Sequence, residues 1–324
     1  MDADLRGTVG LLAVVWVGLV GAVVGSFLNV VIGRVPAGES IVSPGSRCPR
    51  CRTPIRWYDN VPIVSWLALR AHCRSCGARI SARYPAVEAL LAGVAVVVFA
   101  RHGFSGAAAA ELAFVAALVA LAFIDLDTWL LPHAITWPLI GFGLAMGALG
   151  LAPSGSLRGA AYGAGLGFAA FALLAFAGEK ILKKEALGFG DVWLLAALGA
   201  WMGSPALIPV VLLASIQGTV IGIALIALGK AERGPEVAST TSTSTSTATP
   251  TASPSPSPSP SPSPTSTVAP TVAPTDTAAP LADDDWVPPK HAVPFGPFLV
   301  AGALEWLWIG ALLARAVPVL RLFR

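Results

Sequence analysis

A chain of 324 residues that is 55% hydrophobic and only 12% charged cannot fold as an ordinary water-soluble domain, in which about 25% of residues are charged. Its net charge of +3 is small, and the basic residues gather in one short loop without interleaved stacking aromatics, which argues against nucleic acid as a partner. The apolar surface of such a chain must instead be covered by a lipid bilayer.

Eight apolar runs are candidate transmembrane helices, since about 20 apolar residues are needed to cross about 30 Å of hydrocarbon. The first run is not a signal peptide, because acidic residues precede it and no small-x-small cleavage site follows it. The sixth run is short and rich in glycine, so its boundary with the seventh, at Gly203, is the least sharply defined. The sequence thus predicts an all-α, polytopic membrane protein with about eight transmembrane helices, at approximately residues 9–33, 84–101, 106–125, 133–152, 158–178, 190–203, 205–229 and 296–320.

The loop after the first run carries nine arginines between positions 34 and 83 but only two acids, Glu39 and Asp59. Basic loops stay on the cytoplasmic side, so this loop is predicted to be cytoplasmic and the N-terminus to lie outside. Counting helices then places the loops near 125–133, 179–190 and 230–295 in the cytoplasm as well. The predicted organisation is a first transmembrane helix at 1–33, a cytoplasmic Cys-rich loop at 34–83, a transmembrane core of helices two to seven at 84–229, a linker at 230–293 and a last transmembrane helix at 294–324.

The linker has a composition of its own, with six Ser-Pro repeats at 253–264 flanked by Thr/Ser alternation and Ala-Pro pairs. Almost none of its residues can anchor a hydrophobic core, so it is predicted to be disordered or to take up polyproline II geometry. A plain tether is the simpler interpretation, and phosphorylation or partner docking is the alternative.

The four cysteines of the chain form two C-x2-C pairs separated by twenty-one residues. Each pair can present two thiolates to one metal from a tight turn, and two such pairs complete a tetrahedral sulfur shell that favours zinc. Disulfides and free thiols are the alternatives, and the predicted cytoplasmic location disfavours disulfides. A closed four-sulfur site leaves no open position for catalysis, so the zinc is predicted to be structural. Its predicted ligands are Cys48, Cys51, Cys73 and Cys76.

Acids at the ends of two predicted helices indicate chemistry, since charged groups at membrane depth are costly and usually functional. Asp125 lies at the cytoplasmic end of the third predicted helix, and Asp191 lies at the start of the sixth, 66 residues later. The two carboxyls are thus predicted on the same side of the membrane at similar depth. Asp127 is interpreted as an interfacial residue, because its two-residue offset points it away from Asp125 on a helix. A helix N-cap is the alternative role for Asp191.

Two facing carboxyls have a well-defined chemistry. Like charges at close range cannot both ionise, so the pair shares a proton and titrates as one unit. The ionised carboxylate can activate a water molecule while the protonated carboxyl polarises a scissile carbonyl, which is the mechanism of aspartyl proteolysis. Gly188 and Gly190, just before Asp191, permit the close approach of an extended peptide.

These motifs together resemble those of the bacterial prepilin peptidases, membrane aspartyl peptidases related in mechanism to the GxGD proteases. The resemblance extends over nearly the whole chain apart from the Ser/Thr/Pro-rich linker. It is carried by Gly25-Ser-Phe-Leu-Asn29, the two Cys pairs, Ser81-Ala-Arg-Tyr-Pro-Ala-Val-Glu88, Phe123-Ile-Asp-Leu-Asp127, Gly188-Phe-Gly-Asp191 and Pro294-Phe-Gly-Pro-Phe298.

The resemblance implies that Asp125 and Asp191 are the catalytic pair, supported by Gly188 and Gly190, in a multi-pass protein of the bacterial inner membrane. It implies cleavage after a glycine that precedes the apolar segment of a type IV prepilin or pseudopilin. It also implies a second activity, the S-adenosylmethionine-dependent methylation of the new N-terminus. In the family that activity is associated with the N-terminal region, which here includes Gly25–Asn29 and the Cys-bearing loop.

Two positions depart from the family's usual pattern. His133 stands where the family usually has an acid or asparagine, and Trp193 stands where lysine is common; both adjoin the catalytic segments and bear on substrate preference. Lys183, Lys184 and Glu185 are predicted to orient the charges of the leader. The main competing hypothesis, motivated by the two departures, is an inactive scaffold of a pilus or secretion assembly. A proton-relaying transporter is disfavoured, because the acids are not at mid-membrane and the halves do not repeat. Methyl transfer as the main activity is a further alternative.

Overall fold

The computed structural model of the chain describes residues 2–182, 188–227 and 293–323. The predicted linker at 230–293, except for its last residue, lies outside these ranges, as do Lys183, Lys184 and Glu185. Within the described ranges nearly all regular structure is helical, and two isolated β-bridges in the Cys-rich loop are the only extended pairing. The all-α class predicted from the sequence is confirmed.

Eight helices occupy the positions of the eight predicted spans. They are α1 Asp2–Arg34, α2 Arg83–His102, α3 Gly106–Thr128, α4 His133–Ala148, α5 Leu157–Leu182, α6 Phe189–Met202, α7 Leu207–Ala227 and α8 Gly296–Ala316. Six of them are long and apolar enough to cross a membrane, so the chain is a multi-pass membrane protein. The other two, α4 and α6, have 16 and 14 residues and rise only about 24 and 21 Å, less than a hydrocarbon core of about 30 Å. The described residues therefore contain six helices long enough to span a membrane, slightly fewer than the approximately eight predicted.

The two short helices end at glycine turns. Helix α4 ends at Ala148, and the chain turns at Gly150, whose φ is +67°. Helix α6 ends at Met202, and Gly203, with a φ of +83°, directs the chain into the 3-10 turn Ser204–Ala206. Both turns use the left-handed conformation that glycine adopts without steric cost. The predicted boundary at Gly203 is thereby confirmed.

Helix α3 lies between two hydrophobic clusters and is buried on both sides. One face, which includes Val115 and Ile124, packs against α1 and α2. Another face, which includes Phe114 and Leu121, joins the cluster formed by the later helices and packs against α4 and α8. A side chain of α3 that lies on either of these faces, such as Asp125 near the end of the helix, is therefore enclosed by protein rather than by lipid.

Helix α6 is fixed in the bundle by close backbone packing. A Cβ on Gly163 of α5 would overlap the carbonyl of Gly199 of α6, and the reverse is also true, so only glycine permits this approach. Small residues allow helices to pack closely in lipid, where apolar burial supplies little driving force. Trp201 of α6 stacks on Phe114 of α3 and on Phe142 of α4, with ring centroids 4.5 and 5.8 Å apart. These contacts place the end of α6 beside the first half of α3, while at the start of α6 a Cβ on Gly190 would lie 2.8 Å from Leu131, just after the end of α3.

The Cys-rich loop is fixed to the end of the bundle at which α2 begins. The buried carboxylate of Glu88 accepts a hydrogen bond of 2.7 Å from the backbone N–H of Ile63 in the loop. Arg83, the first residue of α2, forms an ion pair with Asp127 in the last turn of α3. The loop, the start of α2 and the end of α3 therefore lie at the same end of the bundle.

Candidate active site

Asp125 lies near the end of α3, and the residue is only 5% exposed. Gly296, at the start of α8, packs against it so closely that a Cβ at position 296 would overlap the carboxylate. Among the described residues, Oδ2 of Asp125 has no hydrogen-bond partner. A buried carboxyl with an unpaired oxygen is costly, and such groups are typical of functional sites.

Asp191 is the third residue of α6 and is 8% exposed. The helix begins after Gly188 without a side-chain cap, so the alternative role of Asp191 as an N-cap is wrong. Its place in the first turn is one at which the helix dipole favours a negative charge. Gly190, the residue before Asp191, packs against Leu131, and Leu131 borders Gly296, the residue that packs against Asp125. The two acids that were predicted at one end of the membrane core therefore both adjoin the segment around Leu131.

The two predicted supporting glycines differ in what they contact. A Cβ at Gly190 would lie 2.8 Å from Cβ of Leu131, so glycine lets α6 approach the connection between α3 and α4. Leu131 also borders Gly296, where a Cβ would lie 3.5 Å from its Cδ1. Gly188 is exposed, and a Cβ there would meet only Oδ2 of Asp191, at 3.8 Å. Gly190 therefore serves packing, whereas Gly188 leaves the approach to Asp191 open.

The second acid of the Asp-Leu-Asp sequence is placed quite differently from the first. The side chain of Asp127 is 44% exposed and forms an ion pair with Arg83, and Leu126 between the two acids is 49% exposed. This agrees with the opposite direction that a two-residue offset gives on a helix. One helical turn thus carries a buried acid with an unpaired oxygen and an exposed, paired acid.

The four cysteines form one cluster, as predicted. Their sulfur atoms all lie within 4.8 Å of one another, and those of Cys48 and Cys76 are 3.9 Å apart. Tetrahedral zinc with Zn–S distances of about 2.3 Å separates its sulfur ligands by about 3.8 Å, so the cluster has the size of a four-sulfur metal site. All four cysteines are free of disulfide bonds in this structure.

The two C-x2-C turns repeat one backbone pattern. The N–H of Cys48 and that of Cys73 each donate to the carbonyl five residues later, at 3.0 and 2.8 Å. Arg52 and Gly77, each four residues after the first cysteine, return a hydrogen bond to the carbonyl of that cysteine, at 2.8 and 2.9 Å. Both positions have a positive φ, +57° and +66°. The loop is therefore a repeat of two like turns that direct their sulfurs toward one point.

Local hydrogen bonds make two of the thiols acidic. Hydrogen bonds with the side chain and backbone of Thr53 lower the pKa of Cys51 to about 6. Backbone hydrogen bonds from Cys76 and Ser75 lower the pKa of Cys73. A lowered thiol pKa favours the thiolate, the form in which cysteine binds a metal.

Two family models match successive parts of the chain. Residues 19–102 match the bacterial peptidase A24 N-terminal domain, and residues 112–223 match the type IV leader peptidase family. A Myxococcus xanthus (strain DK1622) protein named prepilin leader peptidase/N-methyltransferase is 40% identical over 98% of this chain and 96% of its own length. The chain belongs to the type IV leader peptidase family.

Other proteins named prepilin leader peptidase/N-methyltransferase are also similar to this chain. The one from Stutzerimonas stutzeri is 38% identical over 68% of this chain and 83% of its own length. The one from Aeromonas hydrophila is 42% identical over 65% of this chain and 80% of its own length. No solved structure shows a significant match to this chain.

The two departures from the usual pattern of the family meet in the structure. His133, the first residue of α4, stacks on Trp137 with ring centroids 5.2 Å apart and makes an edge contact with Trp193 at 6.1 Å. Trp193 also packs against Trp137 and Phe168, at 5.6 and 4.9 Å. In this member of the type IV leader peptidase family, two positions that usually hold polar residues therefore belong to one aromatic cluster at the start of α6.

Two residues of the site could not be assigned from the sequence. Gly296 lies in a Phe-Gly-Pro motif, but nothing local shows that it packs against Asp125, 171 positions earlier. Arg83 is, in the sequence, one of nine loop arginines, yet it pairs with Asp127. Both contacts are tertiary and depend on how the helices pack. The one local feature of the sequence that could have drawn attention to the site is the unusual position of Gly296 between an aromatic residue and a proline.

Proposed function

We propose that this chain is a membrane aspartyl endopeptidase that removes the leader peptide from type IV prepilins or pseudopilins, cutting after a glycine. The observation that carries the proposal is the meeting of two buried carboxyls, Asp125 of α3 and Asp191 of α6, at one end of the bundle. Membership of the type IV leader peptidase family and the names of the relatives supply the substrate class.

The two carboxyls share one proton, because two like charges this close repel each other. The ionised carboxylate takes a proton from a water molecule, and the water oxygen bonds to the carbonyl carbon of the scissile peptide. The protonated carboxyl gives its proton to the carbonyl oxygen, which becomes the hydroxyl of a tetrahedral intermediate. In the collapse of that intermediate the C–N bond breaks, the leaving amine takes up the proton that the first carboxylate took from water, and one hydroxyl of the intermediate returns a proton to the other carboxylate as the new carboxyl group forms.

The proposed place of cleavage is the cytoplasmic face of the bacterial inner membrane. The dyad lies at the same end of the bundle as the loop between α1 and α2, which carries nine arginines. Arginine-rich loops remain in the cytoplasm. A substrate whose apolar stem lies in the bilayer and whose leader is cytoplasmic presents its cleavage point at this depth. Lys183, Lys184 and Glu185 follow α5 on the same predicted side and are proposed to orient the leader.

The cysteine cluster is proposed to hold a structural zinc ion. Its fit rests on four sulfurs that lie within 4.8 Å of one another, the spacing of a tetrahedral site. When bound, the ion cross-links the two like turns of the loop. Purified protein should contain one zinc ion per chain, measured by elemental analysis, and Cys73→Ser should remove it. Full occupancy in the Cys73→Ser variant would contradict the assignment.

The second proposed activity is methylation of the new N-terminus, because the relatives carry N-methyltransferase in their names. A cavity of about 310 Å³ opens between α1 and the loop and borders Phe27, Arg34 and Asn60. In this cavity the exposed ring of Phe27 would be the group that stacks on the purine of S-adenosylmethionine, since the guanidinium of Arg34 already donates to the carbonyls of Ser40 and Gly45. When bound, that cofactor supplies the methyl group.

The test is cleavage by the purified chain in liposomes, with a prepilin-type substrate and mass spectrometry of the products. The parental protein should release the leader, and labelled S-adenosylmethionine should add one methyl group to the mature product. Asp125→Ala and Asp191→Ala should abolish cleavage, whereas Leu126→Ala, a change at an exposed position between the two acids of α3, should retain it. Parental cleavage by either aspartate variant would overturn the dyad, and no cleavage by the parental protein would favour the inactive scaffold.

A further inference from the structure

Arg83 makes three contacts with the end of α3. Its Nη1 forms an ion pair with Oδ2 of Asp127. Its Nη2 donates a hydrogen bond of 3.4 Å to the backbone carbonyl of Phe123, and its guanidinium lies 5.0 Å from the centroid of the Phe123 ring. One side chain from α2 therefore contacts α3 at two positions that are four residues apart.

Those two positions flank Asp125 symmetrically, because Phe123 precedes it by two residues and Asp127 follows it by two. Among the described residues, no side chain hydrogen-bonds Oδ2 of Asp125, and the backbone of Gly296 packs against it. The position of the carboxyl therefore depends on this contact and on the backbone of the last turns of α3. Arg83 is attached to that same stretch of backbone, just before the helix ends at Thr128.

We propose that Arg83 and Asp127 form a clamp that positions Asp125 for the reaction. Neither side chain is proposed to touch the substrate, so both are positioning residues, and the inference rests on the proposed role of Asp125. The clamp joins the two matched family segments, since Arg83 lies within residues 19–102 and Asp127 within residues 112–223. It is thus a direct link between the N-terminal region and the peptidase region at the dyad.

The exposure of the clamp separates this role from a contribution to global stability. The side chains of Arg83 and Asp127 are 30% and 44% exposed. An ion pair with that much solvent contact adds little to the free energy of unfolding. Its loss should therefore change turnover more than it changes the unfolding temperature, because small displacements of a reacting group are costly to the rate.

The experiment measures kcat, KM and the unfolding temperature of clamp variants in the liposome assay. Arg83→Ala and Asp127→Ala should each lower kcat about tenfold, with KM and unfolding temperature unchanged. Arg83→Lys, which keeps the charge, should lose less than Arg83→Ala. The double variant Arg83→Asp/Asp127→Arg restores the ion pair with the two charges exchanged. Its kcat should therefore be at least about threefold higher than that of either single variant, Arg83→Asp or Asp127→Arg.

A matched control breaks a similar ion pair that does not contact α3. Asp59 accepts two hydrogen bonds from Arg74 in the Cys-rich loop, at 2.9 and 2.7 Å. Asp59→Asn should leave kcat for cleavage unchanged. An equal fall in kcat for Asp59→Asn would overturn the clamp, because any loop ion pair would then suffice.

Two further results would overturn the inference. One is that Arg83→Ala and Asp127→Ala keep the kcat of the parental protein, and the other is that the kcat of the double variant Arg83→Asp/Asp127→Arg is no higher than that of the single variants. Failure of the proposed function is distinguishable, because in that case the parental protein does not cleave, or Asp125→Ala remains active, in the same assay. If Asp125→Ala is inactive while the clamp variants are unimpaired, the dyad stands and only the clamp is rejected.

Discussion

Two buried acids on one helix have opposite surroundings. Glu111 and Asp125 both belong to α3, and the 14 positions between them correspond to about 21 Å along the helix axis. Glu111 is 2% exposed and has three partners. Nε2 of His102 lies 2.8 Å from its Oε2, Nε1 of Trp308 donates to its Oε1 at 3.0 Å, and Nη1 of Arg101 lies 3.4 Å from the same oxygen.

Asp125, at the other end, accepts no hydrogen bond from a basic or neutral side chain among the described residues. The backbone of Gly296 packs against it, and its Oδ2 is unpaired. A buried acid surrounded by donors ties helices together, whereas an unsatisfied buried acid lowers stability and is typical of functional sites. We therefore expect Glu111 to be structural and Asp125 to be functional.

The largest effect on stability is expected at the satisfied acid. Glu111→Leu should lower the free energy of unfolding by about 3 kcal/mol, because it leaves the partly buried Arg101 cation and two other donors without their acceptor. Thermal unfolding in detergent measures this loss. The kcat of the protein that remains folded should be unchanged, since Glu111 lies far from the dyad. A fall in kcat without a fall in the free energy of unfolding would contradict the assignment of a structural acid to one end of α3 and a functional acid to the other.

The effect at the unsatisfied acid should have the opposite sign. Asp125→Asn should raise the free energy of unfolding by about 1 kcal/mol, because it removes a buried charge that is opposed by another acid. The same unfolding measurement, with Leu126→Asn as the exposed control, tests this expectation. A marked loss of stability in Asp125→Asn would mean that Asp125 is structural as well.

The smallest effect is expected at a third membrane acid of intermediate character. Glu305 of α8 is partly buried and accepts one hydrogen bond of 2.9 Å from Gln217 of α7. Glu305→Gln keeps an acceptor for Gln217 and should change the free energy of unfolding by less than about 0.5 kcal/mol, with unchanged cleavage. If Glu305→Gln changed the free energy of unfolding as much as Glu111→Leu, the number of hydrogen-bond partners of a buried acid would not determine its contribution to stability.

The helices could be predicted from the sequence because their signals are local. Apolar runs predicted the positions of all eight helices, and the positions of the acids relative to the helix ends predicted Asp125 and Asp191 at one end of the bundle. The shortness of α6 was visible in its sequence, whereas that of α4 was not, because the apolar run continues past the glycine turn at Gly150.

The surroundings of the acids could not be predicted because they are tertiary. The partners of Glu111 come from the end of α2 and from Trp308, 197 positions away. Likewise, no pattern of spacing connects Arg83 with Asp127, or Gly296 with Asp125. Sequence alone therefore identifies acids in the membrane but does not tell a satisfied acid from an unsatisfied one.

The most direct test compares kcat/KM for leader cleavage in Asp125→Asn, Asp191→Asn and the double variant. If the two carboxyls act as one unit through one water molecule, each single variant should be as inactive as the double, a loss of about a thousandfold or more. Single variants that keep substantial activity, with losses that multiply in the double variant, would contradict the account.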